Sequence, residues 1–339
     1  MPVGEARSIS SLQWKECYQG VGEVKLVCAV TQNNQRILRP GALLQNTERP
    51  HLLAQIQAVE INDDMSSAKM IVRAKMTACR FEERVLMYTE NIGLAEADAL
   101  HMVQKNLRGL PITVSSAQGL TERYDGQISW GSVLKAIEKV SERTGLGYRV
   151  TVNQALQETF AFYKGVDRTM PTNPDYVGFL GDTAGNVKNI KLLDDISGCR
   201  NVAIVAGEGE GTARSVVEVD LSQGQLRHEL YVNASDLSSK YTTKNPDGST
   251  EEHTMTPEEY AAQLRARGLQ ALANTLIGRT LEAELSQSMM IFGKDYGLGD
   301  VLPLNLIRYG VMAAVRISKI TLVYEQTKTV KATLEVIAI

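Results

Sequence analysis

The segment Tyr163-Lys164-Gly165-Val166-Asp167-Arg168-Thr169 sets an acid beside a guanidinium, directly after an apolar run. Such a pair can clamp a polar substrate, because a guanidinium binds carboxylate or phosphate with two parallel donors. No nucleophile or base accompanies it, so a structural role is expected. Gly165 then supplies a backbone angle that other residues resist, Asp167 caps neighbouring amides in an Asx-type turn, and Arg168 pairs with a carboxylate from elsewhere. Gly181-Asp182-Thr183-Ala184-Gly185 approaches the serine-hydrolase elbow, but it carries threonine at the nucleophile position and no helix follows. It reads as a loop. Gly207-Glu208-Gly209-Glu210-Gly211 imitates a phosphate cradle, yet its two acids repel phosphate and a strand follows, so it reads as a hairpin tip.

The adjacent acids Glu82-Glu83 and Asp194-Asp195 diverge on a strand, and on a helix they lie ~100° apart, so neither pair converges two carboxylates. His51, His101, His228 and His253 are isolated, and Cys17, Cys28, Cys79 and Cys199 have no paired spacing, so no metal frame is visible. The thiols suit small apolar fillers in a chain folded in reducing cytosol. No catalytic, cofactor-binding or metal residue is assigned, and the chain reads as a non-enzyme.

The elements that must position these residues begin with β structure. Residues 24–30, 52–61 and 70–78 are predicted strands, and the polar turn at 62–67 makes the last two a hairpin in a small barrel or sandwich. A helix over 94–107 places Leu100, Val103 and Leu107 on one face, and Gly109-Leu110-Pro111 stops it. A second starts at Ser129 as N-cap, carries Trp130, Val133, Leu134, Ile137 and Val140 as a core stripe, and ends before Gly145. Residues 148–152 and 159–163 read as paired strands.

Strands return at 201–206 and 215–219, joined by the glycine-rich loop, and at 227–232. The polar stretch 238–255 contains the turn signal Asn245-Pro246-Asp247-Gly248 and reads as an exposed excursion. Thr256-Pro257-Glu258-Glu259 opens a long helix predicted over 256–278. Period-two alternation over 280–285 and the runs 311–324 and 327–339 are strands. The expected architecture is β-rich α+β: a β-rich segment 1–92, a mixed α/β insert 93–186, and a second β-rich segment 187–339.

Composition narrows the function classes. Apolar residues are 43% and charged residues 22% of 339, an ordinary globular balance. The net charge of −3 advertises no anionic partner, and 6% aromatics is sparse for base or sugar stacking. Residues 1–7 lack the apolar stretch of a secretory signal, and no window reaches the ~20 apolar residues of a membrane-spanning helix.

Certain segments also recur in a recognisable order. Leu12-Gln13-Trp14 with Tyr18 precedes Gly22-Glu23-Val24-Lys25-Leu26-Val27, and Arg80-Phe81-Glu82-Glu83-Arg84-Val85 follows. The helix with Val133, Leu134 and Ile137 ends in Thr144-Gly145-Leu146-Gly147-Tyr148, ahead of Gly165-Val166-Asp167-Arg168-Thr169. A helix over 260–269 and Asp295-Tyr296-Gly297-Leu298-Gly299-Asp300-Val301 complete the series. Over residues 12–336 this order resembles the siphophage tail-hub and baseplate-hub proteins, relatives of the central hub of contractile tails. Arg73-Ala74-Lys75 departs from the pattern, standing where a glycine-containing turn is expected.

The resemblance implies a structural virion protein at the tail tip, made in the host cytoplasm. It implies a homotrimer in which each chain gives two small tail-tube-like β-barrels, contacting a distal tail ring protein and a central fibre or spike. It implies passage of DNA through the lumen without specific binding, no cofactor, and Gly165, Asp167, Arg168, Gly299 and Asp300 as a structural motif. The alternatives are a tail-associated cell-wall-degrading enzyme and a host-surface-binding module. The low aromatic content weighs against the latter, since Trp14 and Trp130 both fall in core patterns.

Overall fold

The computed structural model describes residues 4–63, 68–169, 178–244, 250–273, 275 and 278–337. By contacts the chain divides into one unit of residues 1–192 with 280–339 and another of residues 193–279.

The first unit opens with strand β1 (Ile9–Cys17), β2 (Glu23–Ala29), helix α1 (Gln32–Ile37), β3 (Leu43–Asn46), β4 (Arg49–Asp63) and β5 (Ala68–Met76). Strand β2 alternates, burying Val24, Leu26 and Cys28 while Glu23 and Lys25 face outward, which is the period a half-buried strand requires. β4 and β5 pair antiparallel as the hairpin signal predicts; residues 64–67 of its turn lie outside the described residues. Arg73-Ala74-Lys75 runs through the middle of β5, between β2 and β4. The irregularity falls on the neighbour, as a register shift between Ile56 and Ala58.

The chain then folds a mixed layer: β6 (Glu90–Leu94), α2 (Ala95–Asn106), β7 (Ile112–Val114), β8 (Arg123–Ile128), α3 (Val133–Thr144), β9 (Gly147–Val152) and β10 (Glu158–Tyr163). Its sheet runs β7-β10-β9, and β6 pairs with β8. Phe160 is fully buried, meeting Phe81 edge-on at 5.1 Å and Phe162 at 5.3 Å. Such pairs add roughly 0.5–1.5 kcal/mol each beyond burial. The carboxylate of Glu96, in the first turn of α2, is buried and accepts the amides of Gln118 and Leu120 at 2.7 and 2.8 Å, pinning the 115–122 connection.

Helix α3 begins three residues later than Ser129 suggests. Its N-cap is Ser132, whose hydroxyl accepts the Lys135 amide at 3.2 Å and donates to Glu82 at 2.7 Å. Trp130 and Gly131 take positive φ values of 54° and 91°, and backbone bonds tie Gly131 to Leu86 and Val133 to Arg84. Trp130 is therefore turned out and 72% exposed; its spacing to Val133 extended the apolar stripe one turn beyond the true cap. The other end holds, with Gly145 as a left-handed C-cap bonded to Ser141.

β11 (Leu180–Gly181) and β12 (Val187–Asp195) lead out of this unit. The second unit holds β13 (Val202–Ala206), β14 (Val216–Asp220), β15 (Glu229–Asn233), β16 (Lys240–Lys244), β17 (Thr250–Thr254) and α4 (Pro257–Ala273). Its sheet runs β14-β13-β15, and α4 buries Tyr260, Leu264 and Leu272 against Ala203, Val205 and Val219. The helix start is a reciprocal capping box: Thr256 accepts the Glu259 amide and Glu259 accepts the Thr256 amide. The helix ends at Ala273, short of the predicted 278: the Thr275 amide closes a tight turn on the Leu272 carbonyl at 2.8 Å, and Gly278 already belongs to the next strand. The polar excursion is a hairpin of β16 and β17; its expected turn at residues 245–248 lies outside the described residues.

The chain returns with β18 (Gly278–Leu285), β19 (Val301–Leu306), β20 (Val311–Tyr324) and β21 (Lys328–Ile337). These complete an eleven-stranded sheet among the described residues, ordered β12-β18-β21-β20-β1-β2-β5-β4-β3, with β19 pairing β20 and β11. Segments 1–92 and 187–339 thus contribute strands to one sheet, zipped by the β1–β20 pair from Leu12 opposite Tyr324 to Cys17 opposite Lys319. Its path does not close into a barrel. The apolar faces meet in a core of Trp14, Leu26, Val72, Leu281, Leu322 and Leu334, capped by Tyr296, Leu302 and Leu304. No helix of the described residues is long and apolar enough to cross a membrane.

Candidate functional site

The two motifs singled out in sequence, 134 residues apart in the Val166–Asp300 contact, converge. The turn leaving β10 lies against the segment entering β19 as a short parallel bridge. Val301 donates its amide to Val166 at 3.0 Å, and Arg168 donates its amide to Val301 at 2.9 Å. Asp300 is 5% exposed and organises the contact. Its Oδ1 accepts the Val166 amide at 2.8 Å, and its Oδ2 accepts Arg168 Nε and the Gly297 amide, each at 2.8 Å. These donors satisfy a carboxylate that would otherwise be costly to bury.

Gly165 is needed for proximity and not for its backbone angle, which is absent from the left-handed set. A Cβ there would lie 2.0 Å from the carbonyl oxygen of Gly299. Gly299 is the residue with left-handed backbone, at φ +91°, and its Cβ would lie 2.2 Å from the Tyr18 ring. Asp167 behaves as the sequence suggests, its Oδ1 accepting the amide and hydroxyl of Thr169 at 2.9 and 2.7 Å.

Tyr18 ties the pieces together. It is 1% exposed, follows β1, and takes the Ser318 carbonyl by its amide. Its hydroxyl donates to Gly145 at the end of α3 at 3.1 Å and accepts the Gly165 amide at 3.3 Å. Tyr163 meets its ring edge-on at 5.2 Å. Burial pushes the hydroxyls of Tyr18, Tyr148 and Tyr163 above the usual phenol range, so all three stay neutral. Tyr18 carries no local signal for this role beyond its place after an apolar strand; its partners come from three distant segments.

The remaining sequence candidates are locally engaged. Asp182 of the elbow-like loop accepts the amides of Thr183, Ile307 and Arg308, which locks that loop. Gly207–Gly211 is a turn between β13 and β14, where Glu208 accepts the Ser239 amide; hydrogen bonding from the Ser239 hydroxyl, then from its amide, holds the carboxyl below the usual range. Glu82 serves the Ser132 cap. The four cysteines stand apart as free thiols. Among the described residues no group of three His, Cys, Asp or Glu is placed to hold a metal ion.

A second surface is visible only in three dimensions. The polar face of the large sheet is concave and encloses about 1070 Å³, with β12 and β18 on one wall and β4 and β5 on the other. Lys15, Lys25, Arg73, Lys75, Lys191, Lys319 and Lys331 line it, interleaved with Glu23, Glu282 and Glu284.

The fold is shared with solved tail proteins. The tail protein from Neisseria meningitidis MC58 superposes with a TM-score of 0.66 at 12% identity, covering 98% of this chain and 93% of that one. The 43 kDa tail protein of prophage MuSo2 from Shewanella oneidensis gives 0.55 at 10% identity, covering 97% and 94%. Prophage tail protein gp18 from Listeria monocytogenes EGD-e gives 0.55 at 11%, covering 97% and 89%. A search of curated proteins finds no match. Residues 3–336 match the family described as Siphovirus ReqiPepy6 Gp37-like protein, and with that span this chain belongs to the family.

Proposed function

We propose that this chain is a structural, non-enzymatic protein of the phage tail, and specifically the hub at the tail tip that joins the tail tube to a distal fibre or spike. The observation that carries the reading is a fold shared over 98% of the chain with a tail protein, in a member of a siphovirus family. The Asp/Arg turn supports the non-enzymatic part: Arg168 and Asp300 are engaged with each other and with backbone amides, which suits architecture and not substrate clamping.

In this reading three chains form a ring, each contributing two tube-like β elements to a pseudo-six-fold rim. Segments 1–92 and 187–339 supply those elements and segment 93–186 is the insert between them. Gly165, Asp167, Arg168, Gly299 and Asp300 brace the insert against the large sheet. The partners are a distal tail ring protein above and a fibre or spike below, and the working location is the virion tail tip after synthesis in the host cytoplasm. The concave polar sheet face suits a lumen through which DNA passes, since its acids break up the lysines and temper phosphate attraction.

Native mass spectrometry and electron microscopy of the purified protein test this directly. A trimer with a three-fold ring and six-fold-like rim is expected. Monomer alone, both at micromolar concentration and in assembled particles, would overturn the hub assignment.

A further inference from the structure

A cavity of about 420 Å³ opens beside the Gly165–Asp300 contact, walled by β1, β4, β9, the turn after β10 and residues 292–300. That volume falls in the range of small-ligand sites, roughly 300–1,000 Å³. Its charge is lopsided. Arg49, Arg168 and Lys164 line it already neutralised, by Glu16 at 2.7 Å, Asp300 at 2.8 Å and Glu122 at 2.7 Å. Arg149 and Lys294 line the same cavity, and among the described residues neither has an ion pair to a carboxylate.

Two of the guanidinium groups are also held in place. The Arg149 guanidinium lies over the Tyr163 ring at 4.5 Å, and that of Arg49 lies over Phe292 at 4.8 Å. Rings that fix guanidinium planes reduce the ordering cost of binding an anion. His51 shares the wall, and burial, then the charges of Arg49 and Arg149, push its imidazole below the ordinary value. Arg149 and Lys294, both without a carboxylate partner among the described residues, leave the cavity short of negative charge.

We propose that this cavity binds a small dianion carrying phosphate or paired carboxylates, with Arg149 and Lys294 as its main contacts. The site stands on its own geometry and does not depend on the tail-hub assignment. A bound dianion favours the charged imidazole, so His51 reports occupancy by a rise in its pKa.

The test titrates inorganic phosphate and succinate separately into the full chain, with sodium chloride matched for ionic strength. Calorimetry and the proton NMR signal of His51, assigned with His51→Gln, give the readouts. Saturable binding of either dianion beyond chloride, with a raised His51 pKa, is expected; the dianion that saturates identifies the phosphate or dicarboxylate source. Arg149→Gln combined with Lys294→Gln should weaken binding about tenfold or more with the melting temperature unchanged. Binding no stronger than chloride, or wild-type affinity in the double variant, would overturn the site. Should the double variant fail to fold, a wild-type His51 pKa unmoved by both dianions gives the same negative answer.

Discussion

Two ion-pair clusters in this chain use the same chemistry in opposite surroundings. In the first unit, Arg168 and Asp300 have side chains 23% and 7% exposed, and three hydrogen bonds converge on one carboxylate. In the second, Arg227 reaches Glu218, Asp220 and Glu229 within 3.4 Å, but all four side chains are at least 40% exposed. Among the described residues the surface cluster sets three acids around one guanidinium, yet the buried one has more consequence. Water screens the first and already solvates its members, whereas Asp300 has no alternative partner once Arg168 and the backbone amides are removed.

That contrast can be broken by substitution. The largest effect belongs to Gly165→Ala, whose methyl would sit 2.0 Å from a backbone oxygen. We expect a loss of about 4 kcal/mol or more, or no soluble protein. A chemical-denaturation midpoint equal to wild type would mean that the two segments separate freely. Asp300→Ala should cost about 3 kcal/mol, since it orphans the amides of Val166 and Gly297 and takes a buried carboxylate from Arg168. Arg168→Ala should cost less, because its side chain is partly exposed and Asp300 keeps its amides. The double variant should show coupling of about 1 kcal/mol or more, and additivity would deny that the pair acts as a unit.

A smaller effect is expected with pH. The native pKa of His51 lies below its ordinary 6.5, so the unfolded chain binds the extra proton first as pH falls. Its contribution is complete above about 6.5 and is lost as pH drops toward the lower native value. His51→Gln should flatten stability across that window, and an unchanged pH slope would show that the imidazole is not penalised. Smallest of all is Arg227→Ala, for which thermal melting should not move. A clear drop there would erase the distinction between the two clusters.

Much of the fold was legible one segment at a time. The strand at β2, the pairing of β9 with β10, the helix start at Thr256 and the helix stop before Gly145 are local patterns, and local physics enforces them. Trp130 misled because helical spacing says nothing about where a cap interrupts it; the bonds from Gly131 to Leu86 and from Val133 to Arg84 decide that. The predicted end of α4 overran into β18, because apolar spacing alone does not mark where a helix stops. That Arg168 pairs with a carboxylate from elsewhere was readable, but for Gly165 the reason differed: it is crowding and not a backbone angle.

The sequence by itself determined the β-rich α+β character, most strands and helices, and the order of segments that places the chain among siphovirus proteins. Each follows from side-chain period, caps and turn chemistry, which act over a few residues. Tertiary structure alone decided that β1 pairs with β20, that Asp300 is the carboxylate for Arg168, and that lysines from six strands share one concave face. These contacts join residues as far apart in the chain as Leu12 and Tyr324. Their energy comes from burial and partner geometry, and neither quantity exists until the distant segments meet.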